Sequence, residues 1–66
     1  MDVAKEYKAA LEILKGSNLG EEAKEDIIKG LNSILQGVEE GKIKEEEAMS
    51  CILHVELILI VASSIA

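Results

Sequence analysis

Apolar residues recur near the start of the chain at Val3, Tyr7, Ala10, Leu11 and Leu14. This i, i+4, i+7, i+8, i+11 spacing lines one face of a helix and predicts one over about 2–15. Asp2 stands at the N-cap position, and Gly16 follows Lys15 where a left-handed C′ residue is favoured. Lys8 and Glu12, one turn apart on the polar side, are placed to pair.

A second stripe, Ala23, Ile27, Leu31, Ile34 and Val38, predicts a helix over about 19–40. Asn18 and Glu21 have the spacing of a capping box. Glu21, Glu22, Glu25 and Asp26 load the first two turns, where the helix dipole favours negative charge. Gly30 and Gly37 lie beside the stripe. Each either costs about 1 kcal/mol against Ala or marks the close approach of another helix. Gly41 ends the segment.

The third segment, about 44–65, has a different pattern. Glu45, Glu46 and Glu47 form its first turn, behind a Lys44 that cannot cap it. From Ala48 onward the only polar side chains are Ser50, His54, Glu56, Ser63 and Ser64. On a helical wheel they make two opposed seams, one of Glu47, Ser50 and His54 and one of Glu45, Glu56 and Ser63. Between them lie two apolar faces. Ala48, Cys51, Ile52, Val55, Leu59 and Ala62 form the one richer in small residues, suited to packing on the first two helices. Leu53, Leu57, Ile60 and Val61 form the other. A helix that is apolar nearly all round must be buried nearly all round, and two short helices cannot cover both faces. The expected fold is therefore all-α: a single three-helix domain over 1–66, two amphipathic helices and a nearly all-apolar C-terminal one. Homo-oligomerisation completes the bundle, most simply as a two-fold dimer joined through Leu53, Leu57, Ile60 and Val61. Glu56, on a seam, is expected to tolerate replacement by Gln.

Two rival structures compete with this fold for the third segment. Leu53 to Leu57 alternates and its surroundings are β-branched, as in a strand, but no partner strand is in sight and the segment runs past twenty residues without a breaker. A C-terminal membrane anchor has the length to span, yet Glu56 near its middle would cost ~2.5–3.5 kcal/mol and the flank is acidic.

Composition sharpens the case for association. A chain of 66 residues buries only ~60% of its unfolded surface, and such domains rely on disulfides, metals or oligomerisation. Cys51 is the single cysteine, which removes an intrachain disulfide. With no Phe, Trp or Pro, the core falls to nine Ile and eight Leu. The chain opens without an apolar h-region, and its lone thiol fits a reducing compartment, so a cytoplasmic location is expected. The density of Glu and Lys, with a single Gln, leans towards a thermophilic source.

Charge then narrows function. Eleven Glu and two Asp against seven Lys and no Arg give a net charge of -6. Phosphate binding needs the opposite balance, so nucleic acid is not expected as a partner. Cys51 and His54, three apart with Glu47 a turn earlier, could offer zinc ligands across a two-fold axis. A packed Cys and a seam His explain the same residues more simply, and no metal or cofactor is expected. Catalysis would have to use these residues on a helix committed to packing, with little volume for a cleft, so an enzyme is not expected. What remains is a small non-enzymatic interaction or assembly module that binds itself. The alternatives are a C-terminally membrane-anchored small protein or a regulatory protein associated with nucleic acid. The acidic surface suits a basic protein as a further partner, although solubility alone accounts for it.

Fluorescence anisotropy with duplex DNA and single-stranded RNA at low salt should show no binding up to high micromolar protein. Micromolar binding that collapses with added salt would reverse this expectation.

Overall fold

The computed structural model describes residues 2–65, and within them the chain is helical, with no strand. Helix α1 spans Val3–Lys15, α2 spans Glu21–Glu39 and α3 spans Glu45–Ile65. The alternating stretch from Leu53 to Leu57 lies inside α3, so the strand alternative is excluded.

The helix ends follow the sequence in some places and depart from it in others. Asp2 caps α1 as expected, its carboxylate accepting from the Lys5 N–H at 3.0 Å. Gly16 is not left-handed; its φ is -86°. Ser17 closes that end instead, donating to the Leu14 carbonyl from its N–H at 3.1 Å and from its hydroxyl at 2.7 Å. No capping box forms at the start of α2, where Gly20 occupies the N-cap without a side-chain bond. Glu12 pairs with Lys15 at 3.8 Å rather than with Lys8, on a solvent-exposed surface where such pairs contribute little.

The end of α2 is the best-defined turn. Gly41 is left-handed, with φ 74°. The Gly41 N–H donates to the Val38 carbonyl at 3.0 Å and the Lys42 N–H to the Gly37 carbonyl at 2.8 Å, the pair of bonds of a Schellman motif. The Ile43 side chain folds back over Gly37, filling the space a Cβ there would take. Gly37 is thus a close-approach glycine, but what approaches is the turn and not another helix. Gly30 has nothing near its missing side chain and is simply tolerated.

Contacts between helices set the topology. Tyr7 of α1 donates its hydroxyl to Asn32 of α2, and the end of α1 lines a hollow with the start of α2, so these two run antiparallel. Glu6 lies beside Glu56, while Asn18 and Leu19 line a hollow with Ala62 and Ser63, so α1 and α3 run in the same direction. The core between them is Val3, Ala10, Leu31, Ala48 and Ile52, with Leu14 and Leu59 also fully buried. Ala10 and Ala48 have no exposed surface and sit in the cluster shared by the three helices. Helix α3 packs chiefly on α1; α2 fully buries only Leu31 and Gly37. The Cα trace is 14 Å across its thinnest direction. That is about two helix layers at axial spacings of 8–10 Å, so every helix keeps a side towards solvent.

The glycines give opposite expectations in thermal melts. Gly30→Ala should stabilise by about 1 kcal/mol, raising Tm by several degrees. Gly37→Ala should lower Tm, because its Cβ would lie 2.8 Å from Ile43 Cγ1. Gly41→Ala should cost about 1–2 kcal/mol through its left-handed backbone. A Gly37→Ala protein that melts no lower than wild type would contradict the packing of Ile43.

Candidate functional site

Helix α3 carries the chemistry that the other two helices leave unexplained. Its side chains alternate around the axis so that Ala48, Ile52, Glu56 and Leu59 face the rest of the molecule and are buried. Met49, Val55 and Ser63 flank them, half-buried. The opposite side holds Leu53, Leu57, Ile58, Ile60 and Val61, which are 50%, 58%, 54%, 52% and 49% exposed. Leu53, Leu57, Ile60 and Val61, named from sequence as the surface left for a partner, are therefore together and uncovered by the chain's own helices. Ile58 belongs with them and was missed. It falls beyond the His54 and Glu47 seam on the wheel, yet nothing covers it.

The packed face is rotated from the expected one by about 50°, half of one residue's step. Cys51 and Ala62, expected to pack, are exposed. The seam of Glu47, Ser50 and His54 faces solvent, whereas the seam of Glu45, Glu56 and Ser63 runs from an exposed Glu45 to a half-buried Ser63. Its middle member points into the protein. Glu56 is only 9% exposed, and its Oε2 has no hydrogen-bond partner. Burial, and then the neighbouring carboxyl of Glu6, push its pKa up from 4.5 to about 7. Nothing in the periodicity signals this, because a lone acid on an apolar helix is assigned to whichever edge keeps it wet.

Cys51, His54 and Glu47 are all exposed on the outer side. Among the described residues no group of three His, Cys, Asp or Glu is placed to hold a metal ion. The described residues form surface hollows, two of which bear on binding. One of about 160 Å³ lies between Asn18, Leu19, Ala62 and Ser63. The other, of about 280 Å³, lies between α1 and α2 over Leu11, Leu14 and Ile28, rimmed by Lys15, Lys24, Glu21 and Glu25. Both fall below the ~300–1,000 Å³ of small-molecule sites, and neither includes Cys51 or His54. By length and composition α3 could cross a membrane: Glu45–Ser64 has a mean hydropathy of 1.6, and only 22% of that stretch is buried. The chain matches no protein-family model, no curated protein and no solved structure. The uncovered side of α3 is thus the feature on which a functional reading has to rest.

The exposed position of Cys51 is directly testable. A maleimide should label it in the folded protein at a rate within a few-fold of the denatured chain, and zinc should leave that rate unchanged. Strong zinc protection would restore the Cys51/His54 site.

Proposed function

We propose that this chain is a non-enzymatic assembly module that joins copies of itself through α3. The observation that carries the reading is the group of five half-exposed aliphatic side chains, Leu53, Leu57, Ile58, Ile60 and Val61, on one element. Monomers rarely leave such a patch in water. The accessible surface is 4586 Å². Size scaling gives roughly 4,100 Å² for a monomer of this mass, so the lone chain is under-buried. Ser50, Leu53, Leu57, Ile60 and Ser64 step by three, four, three and four, the seam of a short coiled-coil contact. An antiparallel two-fold pairing fits best. It holds the Glu45, Glu46 and Glu47 clusters of the two copies about a helix length apart, whereas a parallel pairing would press them together.

The magnitudes favour a reversible assembly. Burying the remaining half of each side chain is worth ~1 kcal/mol, or about 10 kcal/mol for ten across a two-fold axis. Association costs ~4–15 kcal/mol, so the oligomer should depend on concentration. A basic protein attracted to the net charge of -6 would be a separate partner on the polar faces.

Helix α3 also supports a second reading, a membrane anchor, on its length and apolarity. Insertion would require α1 to release it and Glu56 to enter the bilayer, which the self-association reading does not.

Light scattering should give a multiple of 7.1 kDa at high micromolar concentration, falling towards one chain on dilution. Leu57→Glu should remain monomeric with its helix content intact, because position 57 faces away from the core. A wild-type protein that stays monomeric, or a Leu57→Glu protein with wild-type mass, would sink the proposal. Co-sedimentation of a monomeric wild type with neutral lipid vesicles would favour the anchor instead.

A further inference from the structure

Among the described residues Glu56 is the buried ionisable side chain, and the assembly reading does not use it. It lies in the joint between α1 and α3, with Oε2 unsatisfied. The charged group bearing on it from α1 is Glu6, half-buried one turn after Val3; no charged side chain of α2 bears on it among the described residues. On its own helix, His54 is exposed on the outer side. Among the described residues no cation is therefore placed to neutralise it. Two ionised carboxylates hold no hydrogen-bond donor between them, so they repel and leave buried oxygens unpaired. One shared proton reverses both effects. It supplies the donor, removes the repulsion and lets the pair bridge the two helices.

We propose that the α1–α3 joint is a proton-operated latch, in which one proton on the Glu6–Glu56 pair seats α1 on α3, and loss of that proton lifts α1 away and bares Ala48, Ile52 and Leu59. The latch acts on the side of α3 opposite the proposed assembly face and does not depend on that reading. Its direction follows from the raised carboxyl. The seated state binds the proton more tightly than the open one, so it is most favoured below 4.5 and weakens as pH rises through about 7. Between pH 5.5 and 8 the ratio of seated to open α1 should fall roughly 30-fold. The open state bares a second apolar strip on α3, of Ala48, Ile52 and Leu59, so alkaline conditions should favour further association through the freed surface.

Hydrogen exchange resolved by helix, at pH 5.5 and pH 8 and corrected for intrinsic rates, tests this on wild type, Glu56→Gln and Glu6→Gln. In wild type, α1 should lose about 30-fold in protection at pH 8 while the turn at Gly37–Ile43 loses far less. Glu56→Gln should keep α1 protected at both pH values. Glu6→Gln should show a smaller change than wild type, since burial still acts on Glu56. Equal α1 protection at the two pH values, the same loss in Glu56→Gln, or equal loss in all three helices would each overturn the latch. Mass measured on the same samples reports separately on assembly: a monomer would remove that reading and leave the latch standing.

Discussion

A helix that is apolar nearly all round has to find cover, and this chain has little to offer it. Helices α1 and α2 supply 13 and 19 residues, each with a single apolar stripe. Helix α1 packs more on α3 than on α2, and α2 contributes one fully buried side chain, Leu31, to the common core. Two helix layers leave no helix enclosed on every side. The partners cover the line Ala48, Ile52 and Leu59 fully and Met49 and Val55 in part, and Leu53, Leu57, Ile58, Ile60 and Val61 stay outside. Stability and exposure are therefore one problem, because the same residues that make α3 worth burying are too many for the chain to bury.

Glu56 adds a polar condition to that apolar problem. A carboxyl in the joint would be cheap if a Lys met it, and seven lysines are available in the chain. None is placed against it. The facing residue is another acid, so the joint closes at the expense of holding a proton near neutrality. Replacing either acid with a neutral residue would have been simpler for packing alone.

The outline of the fold was legible in the sequence because it rests on periodicity. The stripe from Val3 to Leu14 and the one from Ala23 to Val38 each predict one helix face, and Gly41 marks a turn that only a left-handed residue makes easily. Less legible were choices that depend on what lies across a gap. Gly16 looked like a helix stop, but Ser17 carries the stop with its hydroxyl. Asn18 and Glu21 had the spacing of a cap, yet the chain reaches α2 extended at Gly20. On α3 the uncovered residues Leu53, Leu57, Ile60 and Val61 were identifiable, because the amphipathic faces of α1 and α2 are too narrow for both sides. The rotation that brings Glu56 in and puts Cys51 out was not, since it is set by how α3 packs on its neighbours, chiefly α1. Periodicity along one helix contains no record of its neighbour's azimuth.

Tyr7 is the chain's one tyrosine, and there is no Phe or Trp beside it. Its ring sits on α1, half-buried, with its hydroxyl donating to Asn32 of α2. The near-ultraviolet spectrum of this protein is therefore the spectrum of a single joint. Absorbance near 280 nm counts one ring per chain, and circular dichroism in that region follows how rigidly α1 holds to α2. Helix α3, which carries most of the apolar surface, is silent there. Two preparations could differ completely in what touches Leu57 and give the same aromatic trace.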